Sequence, residues 1–166
     1  TELDLGGEGG PRRLRIASVD VEANEALSAR WRAFDLQHGL PRLQGDQVEA
    51  WTPQQLSLDR LRAYSVKKGC YPGQEIVART HFLGQVKRGL ALFNADGPVA
   101  EGASVDADGR GIGTVACVQG TLALAVVALD APAEGVSVDG IGMARMPLLG
   151  GLAARRRLLV VLGGRA

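Results

Sequence analysis

The sequence predicts an α+β fold: helix and strand mixed up to a boundary near residues 87–90, then a small antiparallel barrel or sandwich. Three observations lead there. Residues 24–38 carry apolar side chains at helical spacing. Beyond Lys87 come short apolar runs separated by glycine-containing turns, RGLALF, GASVDA, GIGTVACV, TLALAVVAL, GVSVDG and RRLLVVLG. Such runs at this spacing argue for a small barrel or sandwich. Glycine is 23 of 166 residues, about twice the ordinary ~7%, which favours tight turns and disfavours an all-helical bundle.

Residues 1–11 hold four glycines and Pro11 and read as a loop or ragged end. Over 12–19, Leu14 and Ile16 alternate with Arg13 and Arg15, the pattern of a half-buried strand. Asn24 can cap the helix that follows. Its Leu27, Trp31 and Phe34 stripe reads as core packing, with a cofactor role for Trp31 as the minor alternative, and Gly39 and Pro41 supply the stop. Thr52-Pro53-Gln54-Gln55 matches a capping box with proline at N1, so a short helix or a turn of helix is expected there. Ala63 to Val66 reads as a short strand. Asp108-Gly109 and Gln119-Gly120 are turn signals.

Charge and cysteine content exclude several classes. The formal net charge is +1, which is no basic footprint for bulk nucleic-acid binding. Residues 87–146 carry four basic and seven acidic side chains, whereas 147–166 carry four arginines and no acid. Arg155-Arg156-Arg157 reads as a solvated stretch or strand edge before an RNA patch. Two cysteines, Cys70 and Cys117, allow no disulfide framework or four-cysteine zinc site. The longest apolar run, Leu122 to Leu129, is far short of the ~20 residues of a membrane span. The acidic start shows no signal peptide. The missing initiator methionine suggests a fragment or processed chain, and a cytoplasmic setting is the default expectation.

One segment carries chemistry: Lys68-Gly69-Cys70-Tyr71-Pro72-Gly73-Gln74-Glu75-Ile76-Val77-Ala78-Arg79. Pro72 suits the first position of a helix. Glu75 then falls in the first turn, where the helix dipole favours an acid. Arg79 stands four residues on, at ion-pair spacing, and Ile76 and Val77 can anchor the helix. Cys70 lies just before this helix start and two residues after Lys68, surroundings that lower a thiol pKa. A thiolate is a nucleophile and a soft-metal ligand. A small buried hydrophobe is the competing reading for a lone cysteine, and the two stand level.

Cys117 sits in an alternating strand and reads as core. His38 and His81 show no metal-ligand spacing with each other or with the cysteines. His38 precedes a helix-ending glycine, where it can meet the last carbonyls. His81 reads as an exposed surface residue before a base for Cys70. Gly109, Gly111 and Gly113 lack the following helix that a phosphate loop needs.

KGCYPGQEIVAR, with Gly84, Lys87 and Arg88 after it, resembles the signature of the YgfZ-type folate-binding proteins, whose mitochondrial relatives assist iron–sulfur cluster assembly. Trp31 through Pro41, Thr52-Pro53-Gln54 with Leu58, and the glycine-rich strands after Arg88 are similar to other segments of that family. The wider relatives include the T-protein of the glycine cleavage system, a tetrahydrofolate-dependent aminomethyltransferase. The resemblance implies three domains ringed around a folate channel. This chain would hold part of a ferredoxin-like or T-protein-like α+β domain (1–87) and the C-terminal barrel (88–166).

Carried over residue by residue, the resemblance gives Cys70 a redox or sulfur- and iron-linked role. It places Lys68, Gly69, Tyr71, Gly73, Gln74, Glu75 and Arg79 around that thiol at the edge of the folate channel. Lys87 and Arg88 form a basic pair suited to folate's anionic glutamate tail. Aminomethyltransferase relatives carry an Arg-x-Glu pair ahead of the helix-ending glycine; here Asp35 and Gln37 stand there, and an aspartate supplies no cation. Those enzymes also lack a cysteine in the matching loop.

The implied function is an accessory protein that binds tetrahydrofolate and uses Cys70 to assemble or repair iron–sulfur enzymes, touching tRNA modification through client methylthiotransferases. Folate and iron–sulfur client or assembly proteins are the expected partners, with no direct nucleic-acid or membrane contact. The alternatives are a folate-dependent one-carbon transferase and a non-catalytic interaction module.

Overall fold

The computed structural model describes residues 1–18, 22–67, 72–84 and 86–152. Lys68, Gly69, Cys70 and Tyr71 lie outside the described residues, as do the run RRLLVVLG and Arg155–Arg157.

The carboxy-terminal half is a closed six-stranded antiparallel barrel. Its strands are β3 (Arg88–Ala95), β4 (Ser104–Ala107), β5 (Arg110–Gln119), β6 (Leu122–Ala128), β7 (Val136–Val138) and β8 (Ile141–Met146), in the order β3-β6-β5-β4-β7-β8. Closure comes from β8 returning to β3, with Leu92 opposite Met146 and Ala95 opposite Met143. Full closure leaves no unpaired edge.

The turns follow the expected chemistry. Asp108 and Gly109 both take positive φ, 50° and 73°, in the two-residue loop that sets Ala107 opposite Arg110. That pair of dihedrals matches the right-handed twist of the flanking strands. Gly120, at φ 61°, opens the Gly120-Thr121 loop between paired Gln119 and Leu122. Asp139-Gly140 repeats the first geometry at φ 49° and 81° and launches β8, a strand absent from the sequence expectation.

Side-chain alternation sorts the barrel into two cores. Ala91, Phe93, Ala95, Val105, Val115, Ala123, Ala125, Val127, Val136 and Val138 fill the interior. Leu90, Leu92, Leu124 and Val126 point outward, yet they are equally buried, beneath Leu36 and Leu56 from the first half of the chain. Both faces of β3 and β6 are therefore dry, which is why TLALAVVAL is a continuous apolar run and not an alternating one. In β5 a register shift lies between Val115 and Cys117. The bulge spends one residue without crossing the sheet. Val115 points in, Ala116 and Cys117 both join the outer core, and Val118 packs against the interior again.

The first half supplies the cover. Strands β1 (Glu2–Asp4) and β2 (Arg13–Arg15) form a hairpin, with Leu3 opposite Leu14. Residues 1–11 are thus partly ordered strand and not a loop throughout, because backbone pairing with Arg13–Arg15 satisfies them. Leu14 and Ile16 remain exposed, so β2 is not half-buried as the alternation predicts.

Helix α1 spans Glu25–Gln37, and the Asn24 side chain accepts from the Leu27 N–H at 2.8 Å. It ends as expected at Gly39 (φ 68°): Gly39 N–H donates to Leu36 O and Leu40 N–H to Asp35 O, both at 2.9 Å, the hydrogen-bond pair of a Schellman stop. The Leu27-Trp31-Phe34 stripe is not core, for Leu27 is 59% exposed and the other two are half-buried. The helix turns Asp35, Leu36 and His38 inward instead, because Leu36 is the side chain that meets the outer core of the barrel.

Residues 52–63 form two single turns and no lasting helix. The capping box is present and reciprocal: Thr52 N–H donates to Gln55 Oε1 at 2.9 Å, and Gln55 N–H to Thr52 Oγ1 at 3.3 Å. The first turn stops at Ser57 and the second at Arg62, each at φ 50°. Each stop is a Schellman pair, with Leu58 N–H donating to Pro53 O and Ala63 N–H to Leu58 O. Residues 63–66 form no strand. Helix α2 (Gln74–Leu83) begins after Gly73, at φ 80°, so Pro72 precedes the cap and is not the first helical residue.

Gly113 lies on β5 where β6 passes closest: a Cβ there would stand 2.3 Å from Val126 O and 2.8 Å from Val127 Cα. Gly113→Ala is expected to lower the unfolding free energy by about 1–3 kcal/mol, read as a fall in the urea midpoint at constant slope.

Candidate functional site

A cleft of about 600 Å³ lies where three walls meet. One wall is the double turn and its exit, with Gln54, Ser57, Arg62, Tyr64, Val66 and Lys67. The second is α2, with Thr80 and His81. The third is the barrel, with Arg88, Gly89 and Leu129. Two hydrogen bonds bolt the walls together. Gln54 Nε2 donates to Val77 O at 2.7 Å, tying the turn to α2. Leu90 N–H donates to Ser57 Oγ at 3.0 Å, tying the barrel to the turn.

In sequence the lining residues flank the motif: Lys67 directly precedes Lys68, and Thr80 directly follows Arg79. The charge of the cleft is cationic. Arg62, Lys67 and Arg88 line it against the single carboxylate of Asp59. The ion pairs among the described residues involve none of these three cations. His81 is exposed, with its ring edge-on to Phe82 at 4.9 Å.

Of the motif residues within the described chain, Gly73 sets the helix start. Glu75 falls in the first turn, as the dipole argument expects. Among the described residues no ion pair joins Glu75 to Arg79, and both side chains face solvent. Val77 anchors α2, while Ile76 is 59% exposed. Gln74 is half-buried, and Lys87 is exposed just ahead of β3. The cleft thus takes in Arg88 of the basic pair but not Lys87.

A second cluster, largely unforeseen, surrounds Asp35. This carboxylate is 1% exposed and is gripped by two guanidiniums: Arg12 on Oδ1, and Arg42 on Oδ2 at 3.2 Å. The Arg12 guanidinium carbon also stands 4.1 Å from the centre of the Trp31 ring and 4.3 Å from that of Phe34. His38, fully buried, holds Nδ1 2.7 Å from Phe34 O and stacks on Phe34. That contact bears out the expectation that it meets the last carbonyls of the helix. Beside the cluster, Leu27, Ser28, Trp31, Arg32 and Arg42 line a recess of about 290 Å³, joining an aromatic ring to two guanidiniums. A sequence signal existed in the arginines at 12 and 42, but nothing local ties either to position 35.

Cys117 proves to be core, at 2% exposure. Its thiol accepts from Arg42 N–H and donates to Arg42 O, each at 3.1 Å. Burial pushes this thiol above its ordinary pKa; the Arg42 backbone bond opposes that, and Glu101 adds to it. Among the described residues no three His, Cys, Asp or Glu side chains gather as a metal site, and no helix is long and apolar enough to cross a membrane.

Comparison with known proteins places this architecture. Residues 87–146 match the CAF17 C-terminal beta-barrel domain. The chain is 33% identical over 132 residues to the tRNA-modifying protein YgfZ of Edwardsiella ictaluri (strain 93-146). It is 42% identical over 69 residues to the protein of the same name from Cronobacter sakazakii (strain ATCC BAA-894). The chain is similar to the C-terminal portion of YgfZ-type proteins. The two matches take in 73% and 42% of this chain, but 40% and 21% of the respective relatives. It therefore spans less than half the length of the YgfZ proteins it matches.

Two outcomes follow from the cluster and the thiol. Asp35→Ala strands the nearly buried Arg12 guanidinium and is expected to cost about 3–5 kcal/mol, measured by chemical denaturation; a loss under 1 kcal/mol refutes the pairing. For Cys117, a raised folded pKa means the neutral thiol is the form the fold prefers. Its contribution is complete below the unfolded thiol pKa and is lost as pH climbs towards the folded value. Stability is expected to fall as pH rises past about 9, and Cys117→Ala is expected to flatten that slope.

Proposed function

We propose that this chain is the motif-bearing part of a tetrahydrofolate-binding accessory protein that maintains iron–sulfur enzymes, with Cys70 as its reactive group. The observation that carries the reading is the cationic cleft built against the motif helix. Its size falls in the range of small-molecule pockets, roughly 300–1,000 Å³. Its walls offer what a folate needs: Val66, Val86 and Leu129 for the flat rings, and Arg88, Lys67 and Arg62 for the carboxylates. The recess at Trp31 offers a further stacking face beside Arg32 and Arg42.

Cys70 brings the chemistry a folate site alone lacks. A thiolate can exchange with disulfides, contact iron or trap an electrophile. Lys68 lies two residues away in sequence, where a cation favours the ionised form. The relatives' description as tRNA-modifying is met indirectly in this reading, through iron–sulfur methylthiotransferases that depend on such maintenance. Direct docking on tRNA is disfavoured by charge, because the barrel residues 87–146 carry more acids than bases and phosphate contacts need cations.

Calorimetric titration with 5-formyltetrahydrofolate is expected to give saturable binding. Arg88→Ala is expected to weaken it up to about fivefold, the worth of one exposed ion pair. In cells lacking the protein, Cys70→Ser is expected to fail to restore methylthiolated tRNA. Absence of binding refutes the folate reading, and full restoration by Cys70→Ser refutes the role of the thiol.

A further inference from the structure

We infer that the recess on α1 beside Trp31 is a binding site of its own for a free nucleoside monophosphate, with the base against the indole and the phosphate between Arg32 and Arg42. The inference stands apart from the cleft and does not rest on the folate reading. Leu27, Ser28, Trp31, Arg32 and Arg42 line this recess, whose volume is about 290 Å³. The four helical residues fall into two ridges at i, i+4 spacing. Leu27 and Trp31 make an apolar ridge, Ser28 and Arg32 a polar one. Arg42 enters from the segment after the helix. No carboxylate is among the lining residues.

Packing does not explain this face of the helix. Leu27 is 59% exposed and Trp31 half-buried, whereas Leu36 makes the helix's contact with the barrel. The Arg12 guanidinium stands over the Trp31 ring but does not line the recess, so part of the indole opens on the recess instead. Every nucleobase offers a flat π-face to such a ring. Charge fits the other half of the ligand. Arg12, Arg42 and Asp35 together leave one positive charge, and Arg32, which joins no ion pair among the described residues, adds a second. A phosphate monoester carries about −1.5 to −2 at pH 7, and its oxygens accept from guanidinium forks. Arg42 meets Asp35 through Nη2 alone, with its side chain 52% exposed, so its other donors are left for a second anion.

Spacing selects the class of ligand. Indole and guanidiniums meet within one recess, so the ring and the anion of the ligand must lie close together. A ribose is a spacer of that length. In a folate an aminobenzoyl group stands between the pterin and the carboxylates, and this recess has about half the volume of the cleft.

The test titrates the full chain with AMP, adenosine and inorganic phosphate at low salt. Calorimetry reads the unmodified chain, and fluorescence reads Trp51→Phe, in which Trp31 is the one tryptophan left. AMP is expected to bind saturably, to quench Trp31, and to bind about tenfold more tightly than adenosine or phosphate. That advantage is expected to shrink as salt rises, because exposed pairs are screened. Arg32→Ala is expected to weaken AMP up to about fivefold at an unchanged thermal midpoint. Saturating 5-formyltetrahydrofolate is expected to leave the AMP affinity as it was. Absence of AMP binding to the unmodified chain overturns the inference, as do equal affinities for AMP and adenosine or an Arg32→Ala protein that keeps full affinity. Competition between AMP and the folate overturns the separate site. Tighter binding of a single-stranded oligoadenylate than of AMP assigns the recess to RNA and overturns the free-nucleotide reading. Failure of the folate to bind overturns the folate reading and leaves this inference standing.

Discussion

The outward-facing core of the barrel is the constraint on which the rest depends. A small closed barrel normally buries one face of each strand and wets the other. Here Leu90, Leu92, Leu124 and Val126 make the outer face of β3 and β6 as dry as the inner one. At about 1.5–3 kcal/mol for each large apolar side chain removed from water, leaving that face bare is costly. Leu36 of α1 and Leu56 of the double turn cover it. The double turn in turn supplies Gln54 and Ser57, whose bonds to Val77 and Leu90 hold α2 and β3 at the sides of the cleft. The cleft lies where this cover, α2 and the barrel meet.

Electrostatics completes what packing begins. Burying a lone carboxylate costs several kcal/mol, so Asp35 is tolerable only with its two guanidiniums. Arg12 reaches it from the stretch just before β2 and Arg42 from the segment after α1. The β1–β2 hairpin is thereby fastened to the helix although its own Leu14 and Ile16 remain exposed. Arg42 carries the linkage further, since its backbone amide and carbonyl both meet the Cys117 thiol. The β-bulge at Ala116 is what turns that thiol outward to be met. One bulged residue in the barrel and one acid in the helix thus register the two halves of the chain.

The barrel was legible because its signals are local. Asp108-Gly109 and Gln119-Gly120 need only the dihedral preferences of neighbouring residues, and the apolar runs between them need only their period. Asn24, Gly39 and the Thr52–Gln55 box were legible for the same reason. The Leu27-Trp31-Phe34 stripe misled because helical period says which residues share a face, not which face meets the core. The single inward leucine, Leu36, outweighed three apolar neighbours because the dry outer wall of the barrel lies on its side. β8 was missed since Gly142 and Arg145 break the apolar run, and β1 because glycines close behind it imitate a ragged end. Of the site, the motif stood out by sequence alone. The partners of Arg88 in the cleft did not, because Arg62 and Lys67 reach it through two αL stops that no residue-type preference announces.

The division among the arginines is the final link between fold and chemistry. A chain with sixteen arginines, three lysines and eighteen acids could pair nearly every cation, and composition alone cannot say which it does pair. Position does. Those at 12 and 42 sit where burial makes a partner compulsory, and they are paired. Those at 62 and 88 sit at the rim of a cleft, where water makes a partner optional, and no described acid pairs with them. An unpaired rim cation adds little to stability, so its value to the molecule has to be sought in what enters from outside. Such a cleft attracts anions before any specific contact forms, and its lining residues Lys67 and Thr80 bracket in sequence the segment that holds Cys70.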